Sequence, residues 1–239
     1  MSLCYVLSSD TGIQRENNED KAFAVDDLDL YVIADGMGGH AAGEVASAVA
    51  VETLVSVYRS HPRPRRIKDE GPILGRAIQA ANEEVNRTAM ERDLHGMGTT
   101  LTALKFRGRT AVISHVGDTR VYQLNDGKLK QLTTDHTLVA ILVRTGVISE
   151  NEAWVHPDRN VITRAVGVQS SVEPEVMQVR IPREARLLLS TDGLHDVVPP
   201  AEIAGLASEP DLDAAIAKLI ARANELGSPD NVTAILVQT

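Results

Sequence analysis

An α+β fold, with two antiparallel β-sheets stacked face to face and helices packed outside them, is the architecture this sequence predicts. Short β-branched and aromatic runs recur along the chain, tight turns join several of them, and a few longer segments carry helical periodicity. Turns as short as RGR at 107–109 and NDG at 125–127 make antiparallel neighbours, which excludes an alternating βαβ chain.

Taken in order, strands are expected at 5–9 (YVLSS), 21–26 (KAFAVD) and 30–34 (LYVIA). A helix follows Gly43 through EVASAVAVETLVSVYR, and a second covers 72–92, with Leu74, Ile78, Ala81 and Val85 on one face. Strands return at 100–106, 110–116, 120–124 and 128–132. Residues 134–165 interrupt the series without adding an evident strand and read as an excursion. Within it Asp135 is expected to cap a short helix that stops near Gly146, and Ser149 with Glu152 spells a capping box for another. Strands at 177–181 and 185–190 precede a helix over 211–226, where Leu212, Ile216, Leu219 and Ile220 align and Gly227 is a natural stop. A last strand covers 232–237. No repeat or low-complexity linker divides the chain, so one domain over 1–239 is expected.

Composition narrows the function. A hydrophobic content of 43% and charged content of 24% belong to an ordinary globular protein, with no apolar run of the length a bilayer requires. The opening MSLCYVLSSD has no basic leader, so a signal peptide is not expected, and the single cysteine, Cys4, rules out an internal disulfide. A cytoplasmic protein without membrane insertion is the expectation. The net charge of −9 argues against a nucleic-acid partner and would repel phosphorylated substrates unless bound cations reverse the sign locally. The basic stretch HPRPRRIK, 61–68, reads as a solvated loop between helices.

Acids recur where strands begin or stop. LYVIAD delivers Asp35 to Gly36, and RLLLSTD delivers Asp192 to Gly193. Asp118 follows the strand at 110–116, Glu19 and Asp20 precede the one at 21–26, and Asp230 precedes the last. Asp126-Gly127, by contrast, is a plain hairpin turn. Carboxylates brought into a semi-buried place are costly unless neutralised. An all-oxygen set without Cys or a His pair is what hard divalent cations such as magnesium or manganese prefer, with the glycine carbonyl as a further donor.

These residues, in this order, resemble the metal-dependent protein phosphatases of the type 2C (PPM) family. The resemblance runs through RENNED, VIADGMGGHAAGE, GTTLTAL, GDTRVYQL, LTTDHTLV, HPDRNVITRAVG, LLLSTDGLHD and SPDNVTAILV, nearly the whole chain, in forms like those of the bacterial branch. It implies a sandwich of two antiparallel sheets between helix pairs (αββα), with 134–165 as a flap beside the active site. It also implies a Ser/Thr phosphoprotein phosphatase that reverses Ser/Thr kinase signalling, with phosphorylated proteins and a cognate kinase as partners. By the same resemblance Asp35 bridges two Mn²⁺ or Mg²⁺ ions, the Gly36 carbonyl binds one of them, and Asp192 and Asp230 complete the coordination of the second ion. Glu19 and Asp20 act mainly through water, Asp118 with Asp192 matches a third-metal site, and Arg15 grips the phosphate.

The chemistry so implied is direct in-line attack by a water that two ions, roughly 4 Å apart, activate together. One departure stands out: where animal relatives carry a histidine thought to protonate the leaving oxygen, this chain has Met37, and a thioether donates no proton. Water on the metal is the expected acid, with His40 second. Trp154 is expected to anchor the flap internally, and the protein is expected to be a monomer. Two rival readings stay open on sequence alone: a hydrolase of other phosphoesters, and a phosphoprotein-binding pseudophosphatase.

Overall fold

The computed structural model describes residues 3–38, 41–94 and 96–239; His40 lies outside the described residues. The first sheet orders its strands β1 (Cys4–Asp10), β11 (Val232–Gln238), β10 (Arg186–Ser190), β7 (Arg120–Asn125) and β8 (Lys128–Gln131). The second runs β2 (Asp20–Val25), β3 (Leu30–Met37), β5 (Leu101–Arg107), β6 (Thr110–Val116) and β9 (Glu175–Arg180), with the short β4 (Gly98–Thr99) paired to the end of β3. Every pairing is antiparallel. Helices α1 (Ala41–Ser60) and α2 (Glu70–Arg92) cover the second sheet. Helices α6 (Pro200–Ala207) and α7 (Leu212–Glu225) cover the first. This is the expected sandwich of two sheets between helix pairs.

Three apolar layers explain why the central strands read as unbroken hydrophobic runs. Leu30, Val32 and Ala34 of β3 face α1 and α2, while Tyr31 and Ile33 face the other sheet. In β10 and β11, Leu188, Ala234 and Leu236 pack under α6 and α7, and Leu187, Leu189, Ile235 and Val237 fill the space between the sheets. A strand buried on both faces cannot alternate apolar with polar. The edges do alternate or carry charge: β9 (EVMQVR) is exposed at every second residue, and β8 (KLKQ) is largely exposed, which discourages pairing with another chain.

Boundaries differ from expectation in instructive places. β3 does not stop at Ala34 but continues through Asp35 and Gly36 to Met37. α1 starts at Ala41, so Gly43 lies inside its first turn rather than before it; a Cβ there would strike the Glu19 carboxyl at 2.6 Å. In the flap, α3 (Leu138–Arg144) is capped by Thr137, not Asp135, because the Asp135 carboxylate is taken by Arg120. The capping box at Ser149 and Glu152 forms as expected on α4 (Glu150–Trp154). α6 was not expected, although Pro200 at its first turn is a start signal. The basic loop is more than solvated: Arg107 donates to the Pro64 and Arg65 carbonyls, and Arg63 to the Asp27 carbonyl. The Asp126-Gly127 hairpin takes positive φ at both residues, as a type I′ turn requires.

Truncating Phe106, which is buried between the sheets, is expected to cost about 3–5 kcal/mol in urea unfolding. Met90→Ala on the outer face of α2, where the side chain is 75% exposed, should change stability by less than about 0.5 kcal/mol.

Candidate active site

The alternation that builds the inter-sheet core also builds the site. Tyr31 and Ile33 point between the sheets, so Asp35, two residues further on the same strand, points there too, where the apolar filling ends. Asp20 is directly opposite Asp35 in the β2–β3 pairing and shares its face. From the other sheet, β10 ends at Ser190 and Asp192 opens α5 (Asp192–His195), while Asp230 stands just before β11. Asp118 comes from the loop between β6 and β7. Acids far apart in sequence thus meet at one end of the sandwich.

Polar side chains fix the backbone around these acids and leave the carboxyl oxygens largely unspent. Thr100 Oγ1 accepts from the Asp35 N–H at 2.8 Å, and the Asp35 carbonyl receives Thr99 Oγ1 at 2.8 Å and the Thr100 N–H at 2.9 Å. Asn231 accepts the Glu19 N–H at 2.8 Å and donates to the Thr11 and Asn17 carbonyls, tying the loop before β2 to the loop before β11. Thr191 donates to Asp20 Oδ2 at 2.9 Å. These threonines and Asn231 were not singled out from the sequence. Their signal lay beside the acids, in GTT at 98–100, STD at 190–192 and DN at 230–231.

The glycine after each strand-end acid is there for close approach, not for a turn. A Cβ on Gly36 would sit 2.1 Å from the Gly43 carbonyl oxygen and 2.6 Å from that of Glu19. On Gly193 it would sit 2.0 Å from the Asn231 carbonyl oxygen. In each case only hydrogen fits, and backbone from a distant segment can close against the acid-bearing one.

Electrostatics follow from burial. Asp35 is held well above the usual carboxylate range by burial first, then by Asp20, Asp192, Asp118 and Asp230. Asp118 is likewise raised by burial and by Asp192 and Asp135. Burial lifts Asp20 to about 7 against the opposing hydroxyls of Thr233 and Thr191, and lifts Asp192 to about 7 with Asp196 and Asp230 adding to it. Arg15 meets this cluster only at its rim: its Nη2 is 2.7 Å from Asp230 Oδ2, its Nε donates to the Pro229 carbonyl at 3.1 Å, and its side chain is 46% exposed. Arg120, the other basic residue close to an acid in sequence, turns away from Asp118 to Asp135.

Such a cluster suits divalent cations. Among the described residues the Asp192 Oδ1 is buried with no hydrogen-bond partner, and the surrounding donors are carboxyl and carbonyl oxygens, as Mg²⁺ and Mn²⁺ favour. Beside it lies a groove of about 670 Å³ between the flap and α5, lined by Asp118, Thr137, Val143, Arg144, Trp154 and Asp196. Trp154, expected inside the flap, instead lines this groove and is 41% exposed.

Comparison with known proteins is consistent with this geometry. The family profile described as protein phosphatase 2C matches residues 13–237. The chain belongs to the protein phosphatase 2C family. Among its relatives, the serine/threonine phosphatase Stp of Listeria innocua is 39% identical over 235 residues, covering 96% of this chain and 93% of Stp. The serine/threonine protein phosphatase PstP of Mycobacterium tuberculosis is 40% identical, covering 98% of this chain and 44% of PstP. The crystal structure of that phosphatase superposes with a TM-score of 0.92 at 40% identity, covering 100% of this chain and 99% of the solved one. A PstP catalytic domain solved in complex with two manganese ions superposes with a TM-score of 0.87 at 38% identity, covering 99% and 97%.

The raised carboxyls give the phosphatase a pH signature. Between the ordinary carboxylate pKa and about 7, folded Asp20 and Asp192 hold protons that the unfolded chain has released, so on their account acidification stabilises the metal-free fold. Buried His115, His136 and His195, whose pKa burial lowers, work the other way below the ordinary histidine value of about 6.5. Above that value the carboxyls dominate, so chelator-treated protein should melt at a higher temperature at about pH 7 than at about pH 8.5. Manganese competes with those protons and should reverse the order. Differential scanning calorimetry under the two conditions checks both directions.

Proposed function

We propose that this phosphatase hydrolyses phosphoserine and phosphothreonine in phosphoproteins, working as a single catalytic domain over 1–239. The observation that carries the reading is the convergence of Asp20, Asp35, Asp118 and Asp192, with Asp230 at the rim, into one cluster in which burial first and neighbouring carboxyls second raise the first four. In it, two Mn²⁺ or Mg²⁺ ions would be held by Asp35, the Gly36 carbonyl, Asp192 and Asp230. Glu19 and Asp20 would support them from behind, and Asp118 with Asp192 offers a third place. When bound, the ions supply charge neutralisation and an activated water nucleophile.

The rest falls to the chain. Arg15 presents a planar fork at the mouth of the cluster, able to grip two phosphate oxygens and to stabilise charge developing on them. Asp230 and the Pro229 carbonyl hold that fork in orientation from behind. Met37 offers no proton to the departing Ser or Thr oxygen, so solvent in the site is the proton source, with His40 the second candidate. The groove beside Asp118 gives the polypeptide around the phosphorylated residue a place to lie. Its mixed wall, apolar at Val143 and Trp154 and cationic at Arg144, suits an extended segment better than a small molecule. The partners are phosphorylated proteins, among them the products of a cognate Ser/Thr kinase. We read the phosphatase as a cytoplasmic monomer; no described helix is long and apolar enough to cross a membrane.

Hydrolysis of a phosphothreonine peptide should require manganese or magnesium, stop with chelator, and fall to background in Asp192→Ala. Turnover indifferent to chelator, or an Asp192→Ala enzyme as fast as wild type, would overturn the reading. Arg15→Ala should lower kcat/KM by about 10²-fold while leaving manganese affinity in place. His40→Ala should leave both the rate and the alkaline limb of the kcat profile unchanged if solvent is the acid. Replacing residues 134–165 with another flap should alter selectivity among phosphoproteins more than turnover of a small aryl phosphate.

A further inference from the structure

The dipeptide Asp135–His136 at the root of the flap has no part in the chemistry above, yet it grips both sides of the loop carrying Asp118. On one side the Gly117 N–H donates to His136 Nδ1 at 3.0 Å, and the His136 N–H donates back to the Gly117 carbonyl at 3.0 Å. On the other side Arg120 donates from Nε and Nη2 to Asp135 Oδ2 at 2.9 and 2.7 Å, and from Nη1 to the Tyr122 hydroxyl at 3.1 Å. Asp118 sits between these two fastenings, one residue from the first and two from the second. Both are sheltered: His136 is buried, and the Arg120 and Asp135 side chains are 19% and 12% exposed. The dipeptide is itself held, since the Thr163 N–H and hydroxyl both donate to the His136 carbonyl and the His136 ring stacks on His115 at 4.7 Å.

His115, His136 and Glu175 invite a different reading, as a cation site. The Nε2 atoms of both rings lie 3.7 Å from Glu175 Oε2, and among the described residues neither ring nitrogen of buried His115 has a hydrogen-bond partner. Three features oppose it. Because an amide donates to His136 Nδ1, the neutral ring carries its proton on Nε2, the atom that would have to bind metal. The Arg164 guanidinium places Nη1 3.3 Å from that same Nε2, a fixed positive charge where a cation would sit. The two rings are nearly parallel, 8° apart, so their in-plane lone pairs run side by side instead of converging. The two histidines, whose pKa burial lowers to about 4, form a stacked, neutral support for the loop.

We propose that Asp135 and His136 are positioning residues for Asp118: they set the place of its carboxyl by clamping Gly117 and Arg120 on either side. The inference rests on reading Asp118 as a carboxylate for the third ion. A clamp of this kind acts on affinity for the ion that Asp118 serves, while the ions at Asp35 and Asp230 are held by other segments.

Titrating manganese into chelator-treated protein, with free Mn²⁺ followed by electron paramagnetic resonance, counts the ions and their affinities without reference to turnover. Asp118→Asn should lose the weakest ion. His136→Leu, which removes the acceptor for the Gly117 amide, should weaken that ion by about 10- to 100-fold and spare the tighter ones. His136→Asn should restore it, because the asparagine Oδ1 can stand in for Nδ1 as acceptor. Asp135→Asn, nearly isosteric, should weaken the same ion and serves if His136→Leu does not fold. Wild-type affinity for the weakest ion in both His136→Leu and Asp135→Asn, with that ion lost in Asp118→Asn, would overturn the clamp. An Asp118→Asn protein that keeps the full wild-type count would instead remove the assignment of Asp118, and the inference with it.

Discussion

Like charges crowded into a buried place repel one another and lose hydration, and the acidic end of this phosphatase is organised around that cost. Asp35 is the centre of it, with other acids contributing from the loops and strand ends of both sheets. Without cations the cluster answers by keeping protons, which is why burial and the neighbouring carboxyls all raise its members. Cations held there as proposed would turn the same repulsion into affinity, because few protein donors compete for the carboxyl oxygens. The apolar layers behind the cluster matter because they make its geometry stiff. A carboxyl on a strand buried on both faces cannot swing out to water to relieve the repulsion.

Hydrogen-bond donors are distributed accordingly. Thr99, Thr100 and Asn231 bond mainly to backbone near the acids, and apart from the Thr191 hydroxyl on Asp20 and the Arg15 fork on Asp230 few donors touch the carboxyl oxygens themselves. Internal arginines would have neutralised the cluster and removed the attraction for cations proposed above. Arg120, a guanidinium deep in this region, is committed to Asp135.

Much of this was legible in the sequence, and for a definite reason. β3, β10 and β11 are buried on both faces, so they read as continuous apolar runs, and a charge at the end of such a run is conspicuous. Gly36 and Gly193 were visible as well, but their meaning was not: the contacts that exclude a Cβ come from Gly43, Glu19 and Asn231, which lie elsewhere in the chain. Local rules failed where a tertiary partner outbid them. Asp135 has the chemistry of a helix cap, but Arg120 claims it and Thr137 takes the cap. Trp154 looked like an anchor because large aromatic rings are usually buried, and the groove beneath the flap leaves it part open. The short α6 was missed because its apolar face is mostly alanine and is recognisable only once α7 lies beside it.

The first and last strands are neighbours. β1 and β11 pair antiparallel, with Cys4 opposite Gln238 at one pole and Asp10 opposite Val232 at the other. The acids gather at the pole of Asp10 and Val232, so Cys4 and Gln238 lie side by side at the opposite pole, on the back of the molecule. A short bridge between Cys4 and Gln238 would leave the mouth clear and close the segment between them into a ring, freeing a surface loop elsewhere to become a new opening.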